Sequence, residues 1–385
     1  MEARHSAGKA LWQEKVCPLL TQDAESGMNA ILDWLEDAHK TQVGWDVFTH
    51  LYGENEFADA PVRIGNNEYG ITVRNRVGLA PGFTKDGRGI IALDTTGLGL
   101  IGVGTIPWHA QPGNPKPRCF VEYRAEDLLV VVNRFGFNAE KGIDGPVERV
   151  REIWEIPGKR SIRASLVWSV GPNKDTLGQY EMSRDLRLIA QDIVCSIIRT
   201  IPVLRENDAV AFNITSPNTE GLRNLLERFE ELLEIIFMDL RDLARIYWME
   251  VPPCIIKLSP DMPREQIRHV AKAAALYKPV IALEGFNTTI DEQIRARYGI
   301  TEPGGVSGDP LRHLAYDKLI ALHEILDDEG IQMDLMGVGG IRKPLHAIAR
   351  LAVGERVKTI QVLSGIFAES LTLPSEVLKM IATQL

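Results

Sequence analysis

Cysteine is scarce in this sequence. Only four occur in 385 residues (Cys17, Cys119, Cys195 and Cys254), and no two form a C-x-x-C pair. A disulfide framework and a zinc signature are therefore excluded, and a reducing, cytoplasmic compartment is expected. Long apolar runs are missing as well. No stretch approaches the ~18 uninterrupted apolar residues of a spanning helix. The chain opens with Glu2, Arg4 and His5 rather than the apolar segment of a signal peptide. Bases are outnumbered, 43 to 52, giving a formal charge of −9. Such a chain repels phosphate backbones, so no nucleic-acid partner is expected. The eight histidines show no H-E-x-x-H and no paired ligand spacing, and no metal is expected. Low-complexity segments and solenoid repeats are also lacking. What remains is an ordinary globular balance, 45% hydrophobic and 25% charged, able to bury a large core.

The charge is unevenly spread. Residues 1–60 hold eleven acids and four bases, a net −7 of the total −9. This segment is read as a helical module, followed by a second unit over 61–385. Met28, Ile31, Leu32 and Leu35 form one apolar stripe of a helix over Asp23–Lys40, with Trp34 at its edge. Trp45, Phe48 and Leu51 mark a second short helix over Val43–Tyr52. The tryptophans Trp12, Trp34 and Trp45 are read as packing residues. Docking of the stripe on a bilayer would rest on Ile31, Trp34 and Leu35, because the acidity opposes attraction to anionic lipids.

From residue 71 short apolar runs alternate with helical stretches. The runs are Val77–Ala80, Leu100–Val103, Ile162–Ser169, Ala209–Ile214, Ile255–Leu258, Val280–Leu283, Leu335–Val338 and Thr359–Leu363. Between them lie helical patterns such as Asp185–Thr200, Leu222–Tyr247, Arg264–Tyr277, Pro310–Glu329 and Lys343–Ala352. Apolar strands alternating with helices imply a parallel sheet covered on both faces. Eight units are the count for an α/β fold of the (β/α)8 TIM-barrel type, here with a small N-terminal helical extension. A doubly wound open sheet is the alternative.

In a barrel the chemistry sits just after each strand. Those positions are rich in amides, hydroxyls and glycines. Gly337-Val338-Gly339-Gly340 and Ser364-Gly365 follow the last two strands, where barrels commonly bind phosphate on backbone N–H groups. Tight βα turns would need the same glycines. Asn213-Ile214-Thr215-Ser216-Pro217-Asn218-Thr219 places two amides around a serine, and no G-x-S-x-G surrounds it, so it is not a hydrolase elbow. Asn133-Arg134-Phe135-Gly136-Phe137-Asn138 adds amides around an aromatic turn. Lys85 follows the first strand. Lys257 lies inside the fifth, a costly place unless an anion pairs with it. Asn133, Asn213, Asn218 and Asn287 can converge over one barrel mouth and suit a small planar acid with imide groups. Asp261 is read as the cap of the next helix.

Taken together these motifs resemble the dihydroorotate dehydrogenase family. The resemblance is carried by Asn133–Asn138, Asn213–Arg223, Asn287-Thr288-Thr289, Gly304–Gly308, Gly337–Ile341 and Gln111–Arg118, in order from about residue 60 to the C-terminus. It implies an FMN-containing barrel that oxidises dihydroorotate to orotate in pyrimidine synthesis. A serine before the Pro-Asn, here Ser216, and an N-terminal helical extension mark the quinone-using class. By the same resemblance Ser216 is the base. Lys85, Asn133, Arg134, Phe135, Gly136, Phe137, Asn213, Asn218, Asn287 and Thr288 line the substrate. Pro81, Gly82, Lys85, Thr105, Ser169, Asn213, Lys257, Phe286, Gly308, Gly340, Leu363, Ser364 and Gly365 hold the flavin. A quinone acceptor and peripheral contact of residues 1–60 with the inner face of the cell membrane are the further implications. The chain departs from the family pattern at Pro81, Thr84, Ser169, Pro172, Phe286 and Leu363, all on the flavin side. Those departures motivate one alternative, a paralogue that binds an orotate-like ligand without turnover or acts on another substrate.

Overall fold

The computed structural model of the protein describes residues 2–124, 127–155, 162–216 and 222–384. Among these described residues thirteen strands run in chain order: β1 Val62–Ile64, β2 Ile71–Val73, β3 Val77–Thr84, β4 Leu100–Ile106, β5 Cys119–Arg124, β6 Leu128–Asn133 and β7 Ser165–Val170. They continue with β8 Ala209–Phe212, β9 Cys254–Leu258, β10 Val280–Gly285, β11 Gly305–Gly308, β12 Asp334–Val338 and β13 Val357–Val362. The eight apolar runs read from the sequence become β3, β4, β7, β8, β9, β10, β12 and β13. They close in that order into a parallel barrel, β13 pairing back to β3. Closure settles the choice against an open sheet. Strands β4, β7, β8, β9 and β10 are buried at every position. That is the signature of a parallel sheet with side chains packed on both faces.

Two smaller sheets lie outside the eight-unit reading. The β1–β2 hairpin places Ile64, Ile71 and Val73 against Leu100, Val167, Ala209, Ala211, Ile255 and Met336, plugging the N-terminal end of the barrel. The Asp334 carboxylate fastens it by accepting from the Gly65 N–H at 2.7 Å. Strands β5, β6 and β11 form an antiparallel sheet that roofs the other end. The expected helix over Leu222–Tyr247 is interrupted by a 3-10 turn at Leu226–Arg228, and its long part is Phe229–Tyr247.

The N-terminal module consists of α1 Glu2–Leu11, a π-helical turn Trp12–Val16, α2 Cys17–Gln22, α3 Ala24–Ala38 and α4 Gln42–Tyr52. Asp23 caps α3, its carboxylate accepting from the Glu25 and Ser26 N–H groups at 3.1 Å. Met28, Ile31, Leu32 and Leu35 are buried in the same apolar core as the barrel strands. Ile31 and Leu35 are thus spent on internal packing and cannot serve the bilayer contact read for them. Trp12 and Trp45 are buried, while Trp34 is 37% exposed and packs edge-on against Phe48 and Tyr52.

The acidity of the module has a structural use. Glu25 pairs in bidentate fashion with Arg118 at 2.7 and 2.9 Å. Asp33 meets Arg88 at 2.6 Å, Glu36 meets Arg149 at 3.3 Å, and Glu54 meets Arg74 at 2.7 Å and Arg163 at 2.6 Å. Exposed pairs of this kind contribute little singly. The Glu25–Arg118 pair is largely buried. Burial alone would raise the Glu25 carboxyl, but Arg118 and Lys116 hold it below the usual range.

Trp12 is fully buried and its indole N–H donates to the Phe367 carbonyl at 3.1 Å. Trp12→Ala is expected to cost about 3–5 kcal/mol, as for other buried aromatic truncations. Urea unfolding measures the loss, and proteolysis of the variant should cut first within residues 2–52.

Candidate active site

Under the β5–β6–β11 roof, at the C-terminal ends of the barrel strands, lies a cavity of about 1040 Å³ including its open mouth. Its polar wall comes from many elements. Lys85 follows β3, Thr105 lies in β4, Asn133 ends β6, and Asn213 and Ser216 follow β8. Lys257 is in β9, Asn287 and Thr288 follow β10, and Ser364 follows β13. Pro81, Gly82, Phe135, Gly136, Phe137, Phe286, Gly340 and Leu363 complete the expected residues found there. Asn218 lies outside the described residues.

A hydrogen-bonded chain links these groups. The Ser169 and Thr105 hydroxyls are 2.9 Å apart. The Asn213 amide N–H donates to Thr105 Oγ1 at 2.7 Å, and its carbonyl oxygen accepts from the Asn287 amide at 3.0 Å. Asn287 Nδ2 also lies 3.0 Å from Thr215 Oγ1, which in turn donates to the Lys257 carbonyl at 2.8 Å. The ends of five strands, β4, β7, β8, β9 and β10, are thereby fixed relative to one another, and the amides are aimed before any ligand arrives. Ser216 is buried on the wall beside them.

Lys85 and Lys257 are the cationic side chains on this wall among the described residues. Their surroundings differ. Lys85 Nζ sits 3.4 Å from the Phe135 ring centre and donates to Asn138 Oδ1 at 2.5 Å. Burial, with Arg118 adding repulsion, lowers its ammonium to about 7. Lys257 instead donates to the Glu284 carboxylate. The apolar run read over Val280–Leu283 leaves Glu284 just beyond the strand. It stands inside β10, fully buried.

Four expected residues do not face the cavity. The Arg134 guanidinium turns outward to the Pro117 carbonyl, at 3.0 and 3.2 Å. Ser169 stands behind Thr105. Gly308 pairs with Val130 in the roof, where a Cβ would come within 2.4 Å of the Leu129 carbonyl oxygen. Gly365 is glycine because a Cβ would meet the Ile341 carbonyl oxygen at 2.4 Å. Asp261 is also reassigned. Its carboxylate accepts from Thr289 Oγ1 and the Ile290 N–H, bracing the Asn287–Thr289 loop, and the following helix begins at Arg264 without a side-chain cap.

Sequence reasoning missed several wall residues. Met28 reaches in from α3, and Cys119, Val131 and Ser307 come from the roof. Gln361 of β13 contributes an amide whose oxygen is buried with no hydrogen-bond partner among the described residues. A polar residue inside an apolar strand was its available signal.

With this geometry in view, the comparisons with known proteins agree. The family model for dihydroorotate dehydrogenase matches residues 64–385. A protein of Alkalilimnicola ehrlichii named dihydroorotate dehydrogenase (quinone) is 33% identical over 95% of this chain and 97% of its own length. A protein of the same name from Marinobacter nauticus is 32% identical, over 91% of this chain and 96% of its own. The crystal structure of DHODH from Eimeria tenella in complex with ferulenol superposes with a TM-score of 0.72 and 25% identity, covering 93% of this chain and 90% of that one.

Burial of Lys85 has a measurable consequence. Its folded value of about 7 lies below the ~10.4 of an unfolded lysine, so between those values the unfolded chain binds more protons. The burial penalty is complete below about pH 7 and is relieved as pH rises. Without substrate, the stability of the unchanged chain relative to Lys85→Met should therefore increase from about pH 7 to about pH 10. Parallel thermal melts would read this slope, and a flat difference would contradict it.

Proposed function

The chain belongs to the dihydroorotate dehydrogenase family, and from that premise we propose that this cavity oxidises dihydroorotate to orotate with FMN and passes the electrons to a quinone. The observation that carries the reading is the convergence of Ser216, Lys85, Asn133, Asn213 and Asn287 on one wall. A carboxylate with imide groups needs one cation and several amides that both donate and accept. Lys85 must be charged to hold the carboxylate, and an arriving anion favours its protonated form.

The family is flavin-dependent, and the residues present fit a flavin. Thr105, Lys257, Gln361 and Ser364 supply polar groups between apolar Ala80, Val338, Ile341 and Leu363. The unpartnered oxygen of Gln361 calls for a donor, which the imide N–H of an isoalloxazine possesses. Gly339 and Gly340, both at positive φ, and Ser364 would hold the phosphate. When bound, the flavin accepts the two electrons and the hydrogen leaving C6 of dihydroorotate. Ser216 takes the proton from C5. A serine hydroxyl is a poor base at its ordinary pKa, so it needs an aligned path that carries the proton to water. The asparagines hold the ring oxygens as charge develops, and their mutual hydrogen bonds keep them from reorienting. Phe286 fills wall space where the family pattern has a threonine.

Residues 1–60 form the proposed acceptor-side module and residues 61–385 the flavin-binding barrel. Met28 of α3 borders the same cavity as Phe367, Ile341 and Leu363, an apolar side suited to a quinone. No helix among the described residues is long and apolar enough to cross a membrane. Peripheral contact with the inner face of the cell membrane would use Leu11, Leu19, Trp34, Val43 and Val47, which the module leaves exposed. A cytoplasmic placement is part of the proposal. The non-catalytic alternative rests only on the flavin-side departures, and the family match over residues 64–385 and the relatives named dihydroorotate dehydrogenase (quinone) do not favour it.

Anaerobic mixing with dihydroorotate should bleach the visible flavin absorbance of the purified protein. In Ser216→Ala the bleaching should slow by about 10²–10⁴-fold, the usual contribution of a positioned base, while orotate still perturbs the flavin spectrum. Bleaching at an unchanged rate would remove Ser216 from the role.

A further inference from the structure

A buried carboxylate stands behind the flavin-side lysine, and nothing in the reaction described above uses it. Glu284 lies opposite Lys257 in the β9–β10 ladder. Its neighbour Leu283 packs outward in the core shared with the helices, whereas Ala282 packs with the residues that fill the barrel. Strand alternation therefore turns Glu284 into the lumen. The side chain is fully buried, and Lys257 is 4% exposed. Lys257 Nζ donates to Glu284 Oε1, and the other carboxylate oxygen, Oε2, has no hydrogen-bond partner among the described residues. Lys257 borders the cavity and Glu284 does not. The cavity thus meets the ammonium first, with the carboxylate directly behind it.

Burying an ion pair is a weak route to stability, since desolvation offsets most of the attraction. An apolar pair of equal volume would pack at least as well in that layer. The electrostatic effect on the cavity is larger. An unpaired lysine on a dry wall strongly favours negative charge in front of it, and a carboxylate in contact cancels much of that field.

We propose that Glu284 is a positioning residue that sets the reduction potential of the bound flavin, by fixing the Lys257 ammonium and cancelling part of its charge. This rests on the flavin reading above. Two-electron reduction makes the cofactor more electron-rich, so a lone lysine would raise its potential and the carboxylate lowers it again. A lower potential weakens the pull on the electrons of dihydroorotate and strengthens their release to the acceptor.

The test is the midpoint potential of the flavin in the full-length holoprotein, measured by equilibration with a reference dye. Glu284→Gln keeps the shape and removes the charge. At fixed ambient potential its ratio of reduced to oxidised flavin should rise at least tenfold, about 30 mV for a two-electron couple. Glu284→Asp draws the carboxylate back from Nζ in a smaller perturbation of the fold, and should move the ratio the same way by less. Lys257→Met should move it the opposite way. A wild-type protein that binds flavin, with glutamine and aspartate variants of unchanged or lower potential, would overturn the assignment while leaving the flavin reading intact. A wild-type protein that takes up no flavin would overturn both.

Discussion

Everything at the active site hangs on the closure of eight parallel strands. Closure removes the sheet edges and leaves a lumen that must be filled from within. The chain fills the N-terminal half with Leu100, Val167, Ile255 and Met336, sealed by the β1–β2 hairpin. Toward the other end the inward positions turn polar, with Thr105, Asn213, Lys257, Glu284 and Gln361. Polar groups at that depth must find each other or a ligand, because water cannot serve them freely. The chain of hydrogen bonds from Ser169 to Lys257 follows from that requirement. The binding site is where the barrel stops being able to satisfy itself.

Charge is handled by the same logic at two scales. Across the surface between module and barrel, acids of α3 and its neighbours meet arginines of the barrel. The segment that looked strongly repulsive in isolation is matched once docked. At the scale of single residues the two wall lysines are treated differently. Among the described residues Lys85 meets an amide and an aromatic ring at close range, so its proton is loosely held until an anion arrives. Lys257 carries its counter-ion with it.

The barrel was legible because each strand is apolar at nearly every position and each helix follows at ordinary spacing. Apolar burial on both faces writes itself into sequence as a continuous run. The hairpin was not legible because its strands, Val62–Ile64 and Ile71–Val73, are three residues each. The roof was not legible because β5, β6 and β11 pair antiparallel outside the barrel and so break the strand–helix alternation. The site residues after strand ends were legible as residue types, and the cavity wall holds most of them. The four that stand off it are residues whose demand is local. Gly308 and Gly365 are glycines because of neighbouring carbonyls, which no spacing rule reveals. Glu284 was misplaced by one or two positions, enough to send it to the rim instead of the lumen, since strand ends are the least determined feature of a periodic pattern. The lysine in β9 nonetheless announced that an anion had to be near.

The module touches the end of the chain as well as its cavity. Trp12 donates to the Phe367 carbonyl, and Lys9 pairs with Glu369 at 2.6 Å. Phe367 itself borders the cavity, as does Met28. During synthesis α1 and the turn that carries Trp12 leave the ribosome long before Phe367 exists, and the Trp12 indole must wait until the chain has grown by 355 positions to meet its carbonyl partner. Domains of many proteins mature one after another as they emerge. Here the cavity wall joins Met28 to Phe367, so a nascent chain that has not yet reached Phe367 lacks a complete pocket.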